Sequence, residues 1–210
     1  MRLYKLNDTV LNFKGNSSKL LGGLTSNSLD KPFNAFLNLH GRIIATVRQQ
    51  RVSEDEYIIV TPYFVVDPLI KHLELYLKLN GTHIHESALK AYLDLDTAEL
   101  LLKSQDFPSQ VSEDDFILFR LEHNLPLLGV DYQPDEFILN IDEVTFVSFA
   151  KGCFLGQEPV AKVHNRSKPT RKLVVKFEDE CADEENSKMT SKIMDPKRGR
   201  VKGFVFVKNN

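Results

Sequence analysis

The first third of the chain has the pattern of strands interrupted by turns. The stretches "RIIATVRQQRV" (42–52) and "EYIIVTPYFVV" (56–66) are rich in β-branched and aromatic residues. The charged "SEDE" between them has the composition of a turn. Together these stretches predict an antiparallel hairpin.

Helical spacing follows directly after this hairpin. Asp67 and Pro68 have the character of a helix N-cap and a first helical residue. Apolar residues then recur on one helical face, at Leu69, Ile70, Leu73 and Leu77. Asn80 and Gly81 end the pattern with residues that tolerate a left-handed conformation. The spacing therefore predicts a helix over 67–80.

Two further helices are indicated by signals at their N-termini. Ser112, with Asp115 three residues later, resembles a capping box, and the helix that it predicts runs to Asn124. In "GQEPVAKVHNR" (156–166), Pro159 stands near the start of a third predicted helix.

The remaining apolar stretches are strand-like. "THIHESALKAYLDLD" (82–96) predicts a pair of short strands, and "VTFVSF" (144–149) predicts another strand. From about Lys172, "KLVVKFED" and "KGFVFVK" predict two strands of a small β unit, joined by the flexible acidic loop "ECADEENS". Because helices and strands do not alternate strictly, we expect an α+β fold with antiparallel sheets.

The composition indicates the kind of cellular compartment in which we expect the protein. The chain has 210 residues, of which 42% are hydrophobic and 27% charged, as in soluble globular proteins. Its two cysteines do not make a disulfide framework, which favours a reducing compartment. No apolar run is long enough to span a membrane, and "MRLYKLNDTV" resembles no secretion signal. We expect a cytoplasmic protein, or a mitochondrial-matrix protein in a eukaryote, although no transit peptide is visible.

The charge of the chain is unevenly distributed. Residues 94–143 contain 13 acidic and 2 basic residues, whereas residues 166–210 contain 12 basic and 7 acidic ones. A basic tail suits nucleic acid or an anionic cofactor tail, but no aromatic residues are interleaved as a single-strand binder needs. We therefore favour a tail that folds back over the acidic segment, and we do not expect nucleic acid as a partner.

The stretch "FAKGCFLGQEPVAKVHNR" (149–166) contains the strongest candidate chemistry. Cys153 lies between a predicted strand and a helix that begins near Gln157, and Lys151 is two residues away. A helix N-terminus and a nearby cation both favour the thiolate form of a cysteine. Gly152 and Gly156 permit a tight loop. Cys153 is therefore either a reactive or metal-capturing thiolate or a small buried residue, and the spacing does not decide between them.

The histidines do not resolve this choice. A Cys-His pair with Cys153 is conceivable, but spacing selects none of His40, His72, His83, His85, His123 and His164. The rings of His83 and His85 share one face of a predicted strand, as in a metal site, but no third ligand lies nearby. We predict no metal site.

The motif around Cys153 resembles a known family signature. It is matched without gaps by Lys151, Gly152, Cys153, Phe154, Gly156, Gln157 and Glu158. These residues resemble the Lys-Gly-Cys-(Tyr/Phe)-x-Gly-Gln-Glu signature of YgfZ-type folate-binding proteins, which share a superfamily with the glycine-cleavage T protein, an aminomethyltransferase. The segments "LLGGLTSNSL", "FNAFLNLHGRIIATV" and "FRLEHNLPLLGVD" are also similar to this superfamily. "KMTSKIMDPKRGRVKGFVFV" resembles a shortened form of its terminal barrel.

The resemblance implies helices and sheets around a central channel that holds tetrahydrofolate. It implies a folate-binding region over 1–166, with sub-modules of about 1–80 and 81–166, and a shortened C-terminal β-barrel-like unit over 167–210. Glu122 matches the glutamate that binds the pterin, although the same residue could be a solvated charge on a helix face. Arg120 could meet the glutamate tail of folate or pair within the acidic segment.

One departure from the superfamily bears on activity. Aminomethyltransferases carry an acid a few residues after the glycine that matches Gly41, whereas this chain has Ala45 and Thr46 there. Our leading hypothesis is a tetrahydrofolate-binding accessory protein that acts through Cys153 on client iron–sulfur proteins. The alternatives are a one-carbon transferase that uses another acid, Asp67 or Asp131, and a ligand-free interaction module. Whether the chain is an enzyme stays open at this point.

Overall fold

The computed structural model describes residues 1–209. Its strands, in chain order, are β1 (Leu3–Lys5), β2 (Asp8–Lys14), β3 (Phe33–Leu37), β4 (Ile43–Ser53), β5 (Glu56–Pro62), β6 (His83–Glu86), β7 (Lys90–Asp94), β8 (Leu100–Lys103), β9 (Arg171–Phe177), β10 (Thr190–Asp195) and β11 (Arg200–Lys208). Its α-helices are α1 (Ser17–Leu24), α2 (Val66–Asn80), α3 (Glu113–Glu122), α4 (Ile138–Ile141), α5 (Glu143–Phe146), α6 (Gln157–Arg166) and α7 (Asp183–Ser187). Within this described part, no helix is both long and apolar enough to cross a membrane.

Within residues 1–209, the strands form three antiparallel sheets. The central sheet has five strands in the order β3-β4-β5-β2-β6, and two three-stranded sheets have the orders β1-β7-β8 and β10-β11-β9. The α+β prediction with antiparallel sheets is confirmed. The C-terminal sheet, as described over 171–208, does not close into a barrel.

The central sheet is covered by apolar side chains on both faces. Successive side chains of a strand point to opposite faces, and here both sets include apolar residues. Phe13 and Ile59 belong to one buried cluster together with Leu69 of α2. Val10 and Val60 belong to a second cluster, into which α3 inserts its phenylalanines. At about 25 cal/mol per Å² of buried apolar surface, this double coverage supplies the main stabilisation of the fold.

The local sequence signals of the hairpin and of two helices are confirmed. β4 and β5 pair as predicted. α2 ends at Gly81, which has the left-handed φ of 67°. It begins at Val66 rather than Asp67 because a 3-10 turn over Tyr63–Val65 runs into it. α3 has the capping box of Ser112 and Asp115, with reciprocal backbone hydrogen bonds.

Three predictions of local structure are wrong. "VTFVSF" contains helix α5, because the Asp142 carboxylate accepts hydrogen bonds from the backbone N–H groups of Val144 and Thr145 and so caps a helical turn. The acidic stretch "ECADEENS" (180–187), predicted as a flexible loop, is ordered into the end of a 3-10 turn and α7. Lys176 of β9 forms an ion pair with Glu185 of α7 at 3.1 Å. The C-terminal unit has three strands rather than two, since residues 190–195 form β10.

The basic tail folds back over the acidic segment, as the charge distribution predicts. Arg171 pairs with Glu136, and Lys197 Nζ lies 3.2 Å from Glu122 Oε1. These pairs are at least partly exposed, so each contributes little to stability.

A buried ionic network fixes the C-terminal sheet to the rest of the molecule. Arg120 Nη1 lies 2.6 Å from Asp131 Oδ2, and the two side chains are 2% and 0% exposed. The same carboxylate accepts hydrogen bonds from the Leu127 N–H and from the hydroxyls of Thr190 and Ser191, at 2.6–2.8 Å. One carboxylate therefore joins α3, the loop over 125–130 and β10.

We expect Asp131→Ala to lower the free energy of unfolding by about 3–5 kcal/mol, because it leaves the Arg120 charge buried without a partner. Urea unfolding measures this change. Asp114→Ala is the matched control: Asp114 is exposed in the first turn of α3, and its loss is expected to change stability by no more than about 0.5 kcal/mol. Equal effects of the two substitutions would contradict the role given to this network.

Candidate functional site

A cavity lies between the central sheet and the loop over 125–130. Its volume is about 320 Å³, within the range of small-molecule sites. Most of its lining is apolar or aromatic, and two charged side chains interrupt it, namely Asp8 and Arg48; the other lining residues are Asn7, Phe33, Thr46, Val47, Val60, Pro62, Tyr63, Phe64, Leu125, Pro126, Leu127, Leu128, Val130 and Phe146. A cavity of this kind can enclose a largely apolar ligand and orient it through two polar contacts.

Strand register brings the two charged residues into one cavity. Asp8 on β2 is paired with Pro62, and Arg48 on β4 is paired with Val60. Pro62 and Val60 are two residues apart on β5 and therefore point to the same face of the sheet. Asp8 and Arg48 thus project from the two strands that flank β5, on its cavity side.

Arg48 is buried without a hydrogen-bonding partner. Its side chain is 9% exposed, and its Cζ lies 4.7 Å from the centroid of the Phe33 ring. Within residues 1–209 its guanidinium makes neither a hydrogen bond nor an ion pair under 4.0 Å, in contrast to Arg120. Desolvation lowers the pKa of Arg48 to about 10, with Asp8 opposing this shift. The guanidinium is thus largely desolvated, and a ligand could supply the acceptor that the described residues do not.

Asp8 is the acidic side chain that lines this cavity. Burial raises the pKa of its carboxyl above the ordinary value of 3.8, and the nearby Arg48 charge partly offsets this effect. The aspartates that we considered from the sequence are elsewhere: Asp67 is exposed on α2, and Asp131 is held by Arg120. Sequence reasoning missed Asp8 and Arg48, although each is a charged residue within a strand-like apolar stretch.

Thr46 lies in the cavity near the position where an acid was expected. Its hydroxyl is 2.7 Å from the hydroxyl of Tyr132, and both residues are buried. Burial also raises the pKa of Tyr132, so this phenol stays protonated. The pair can donate or accept a hydrogen bond but does not supply a base at neutral pH.

Arg120 and Glu122 do not line the cavity. Arg120 is enclosed by its contacts with Asp131 and Ser191. Glu122 is the last residue of α3, is exposed, and pairs with Lys197 of the C-terminal sheet. Arg120 thus pairs within the acidic segment, and Glu122 is an exposed charge at the end of α3. Their folate contacts stay a prediction.

The loop over 147–156, here called the motif loop, presents Cys153 at the surface. Cys153 is exposed, whereas the neighbouring Phe154 is 6% exposed and packs in the main core. The loop ends at Gly156, the N-cap of α6, where φ is 81° and a Cβ would stand 2.3 Å from the carbonyl oxygen of Asn38. Gln157 and Glu158 follow as the first residues of α6. The loop is therefore built to expose its cysteine rather than to bury it.

Lys151 anchors this loop to α1. Its Nζ donates hydrogen bonds to the carbonyl oxygens of Gly22 and Thr25, at 2.8 and 2.5 Å, and lies 5.1 Å from the Phe154 ring centroid. Burial lowers the pKa of Lys151 to about 8, while the carbonyls at the C-terminal end of α1 favour its charged form. The motif lysine thus holds the loop in place.

Three of the candidate histidines have other neighbours or lie at a sheet edge. His164 Nδ1 lies 2.9 Å from Glu143, and its ring stacks on Phe149. His83 and His85 occupy the edge strand β6. Over the described range 1–209, no group of three His, Cys, Asp or Glu side chains is arranged to hold a metal ion.

Comparison with known proteins gives a likeness in fold. The sequence matches no protein-family model and no curated protein. Among solved structures, the glycine cleavage system aminomethyltransferase T from Bartonella henselae superposes with a TM-score of 0.71 and 13% identity, over 98% of this chain and 78% of that one. The fold is T-protein-like. At this identity the likeness concerns architecture alone, and the YgfZ-type branch remains a prediction.

We expect Gly156→Ala to lower the free energy of unfolding by about 2–4 kcal/mol, because it adds a Cβ against the Asn38 carbonyl at a left-handed φ. Gly152→Ala is the matched control in the same loop. A Cβ at Gly152 meets nothing within 4 Å, so stability should change by no more than about 0.5 kcal/mol. Chemical unfolding of both variants checks the prediction, and a tolerated Gly156→Ala would contradict the packing described for the loop.

Proposed function

We propose that this chain binds reduced folate in the cavity beneath the loop over 125–130. The observation that carries the proposal is the combination of a T-protein-like fold with an aromatic-lined cavity that holds Asp8 and Arg48. A pteridine is a flat heterocycle with polar groups along one edge, so it suits apolar walls and a few oriented polar side chains. Tetrahydrofolate, when bound, supplies a carrier for one-carbon units.

The mouth of the cavity can accept the rest of a folate. Tyr63 and Phe64 are 77% and 48% exposed and line the cavity, and Val130 is 51% exposed on the opposing loop. Exposed aromatic side chains beside a cavity offer stacking surfaces for an aminobenzoyl ring. The glutamate tail would then extend toward solvent.

The cavity favours binding over methylene transfer. Ala45 and Thr46 stand where the acid was expected, Asp8 is the carboxylate among the described lining residues, and the Thr46 hydroxyl is engaged by Tyr132. Loss of a positioned acid or base typically lowers a rate by about 100- to 10,000-fold. A transferase that used this cavity would have to use Asp8. Methylene transfer from an amine donor that is measurable in the wild type and lost in Asp8→Asn would favour that alternative.

We further propose that Cys153 contacts client iron–sulfur proteins. Its thiol is exposed on a loop that Lys151 and Phe154 hold against the core, so a partner can approach it without unfolding the loop. A single cysteine does not complete an iron–sulfur site, for which four ligands are usual. The client would therefore provide the remaining ligands.

Folate binding is tested by anaerobic calorimetric titration with tetrahydrofolate. We expect saturable binding by the wild type, and Val130→Trp should weaken it by about tenfold or more because the indole occupies the mouth of the cavity. Val144→Trp is the matched control, since Val144 is 90% exposed and outside the cavity lining. Absence of binding by the wild type would overturn the proposal and favour a ligand-free interaction module.

The role of Cys153 is tested in cells that lack the chain, by measuring the activities of iron–sulfur enzymes. Cys153→Ser should fail to restore them while it still binds tetrahydrofolate. Cys181→Ser is the control, because that thiol is partly buried and lies 3.3 Å from the Phe177 carbonyl oxygen. Full restoration by Cys153→Ser would contradict the proposed contact with clients.

A further inference from the structure

Arg48 is the basic side chain that lines the cavity. It is nine-tenths buried, it lines the cavity, and no acceptor in residues 1–209 hydrogen bonds to its guanidinium. Phe33 supports one face of the guanidinium and leaves its N–H edge free for a partner. A buried guanidinium of this kind gains substantially from an acceptor that a ligand brings.

Asp8 provides the complementary group on the other side of β5. The strands that carry Asp8 and Arg48 both neighbour β5, so their backbones lie two strand spacings, roughly 10 Å, apart. Side chains that converge from this separation can contact the same edge of a small ring system. The cavity thus offers an acceptor and a set of donors side by side.

We propose that Asp8 and Arg48 together recognise the lactam edge of the pteridine and so select 4-oxo over 4-amino ring systems. In this arrangement the Asp8 carboxylate accepts hydrogen bonds from the ring N3–H and the 2-amino group. The Arg48 guanidinium donates to the 4-oxo oxygen. This inference rests on the proposed folate binding and names the residues that read the ring.

The charges of the cavity favour a neutral edge of this kind. A ligand carboxylate directed at Arg48 would lie close to the like charge of Asp8. A cationic ligand directed at Asp8 would in the same way lie close to the like charge of Arg48. A lactam edge satisfies both side chains without adding a net charge. Glu122, the residue that the sequence suggested for this contact, is at the surface with Lys197 and outside the cavity lining.

The matched probes are folic acid and aminopterin, which differ in carrying a 4-oxo or a 4-amino group. With Arg48 facing position 4, the wild type should bind folic acid more tightly than aminopterin. The 4-oxo oxygen of folic acid accepts a hydrogen bond from the guanidinium, whereas the 4-amino group of aminopterin is itself a donor. The 2,4-diamino ring is the more basic of the two and pairs better with a lone carboxylate. A site that used Asp8 alone would therefore prefer aminopterin.

Calorimetric titration of Arg48→Met separates these cases. We expect its affinity for tetrahydrofolate and folic acid to fall by about 10- to 100-fold and its preference to shift toward aminopterin. Asp8→Asn should weaken both probes. Arg51→Met is the matched control, because Arg51 lies farther along β4 at an exposed position outside this cavity. Thermal unfolding verifies that each variant is folded. Arg48→Lys keeps the positive charge but not the planar guanidinium, so it should retain only part of the preference for folic acid.

Two outcomes distinguish this inference from the proposed function. If the wild type binds neither tetrahydrofolate nor folic acid, folate binding and the lactam contact both fail. If the wild type binds tetrahydrofolate but Arg48→Met keeps its affinity and the same preference between the probes, folate binding stands and the role of Arg48 is overturned.

Discussion

The buried pair of Arg120 and Asp131 is the interaction on which the arrangement of the molecule depends. Two opposite charges with almost no exposure are tolerated only when both are paired and hydrogen bonded. The Asp131 carboxylate meets this condition by collecting donors from a helix, a loop and the C-terminal sheet. The loop over 125–130 is therefore fixed at one end by the same contact that docks β10.

This arrangement shapes the cavity. The loop over 125–130 provides one of its walls, and the cavity-side face of β2, β4 and β5 provides the other. The loop wall is held by a network to which the cavity lining contributes only the Leu127 N–H, so the charged side chains of the cavity are not needed for it. Arg48 and Asp8 illustrate this, since neither side chain forms an ion pair with another residue in the described range 1–209.

Features that depend on neighbouring residues could be predicted from the sequence, and features that depend on distant ones could not. The capping box at Ser112 and the left-handed Gly81 act within one helical turn, and both were predicted correctly. Helix α5 was read as a strand because its apolar residues outweighed the cap provided by Asp142. Arg48 alternates with buried residues like an outward-facing strand residue. A loop about eighty residues later in the chain helps to enclose it, and no local pattern encodes that approach.

The close fit of Gly156 has a mechanical consequence. The space for a side chain at this position is filled by the turn between β3 and β4, with the Asn38 carbonyl and the Gly41 Cα as its nearest neighbours on that turn. β4 continues from that turn to Thr46 and Arg48. The loop that exposes Cys153 and the turn that leads into the strand of Arg48 therefore meet at one close backbone contact. A side chain added at Gly156 would press on both of them at once, so a single substitution there would displace the surroundings of the thiol and the start of β4 together.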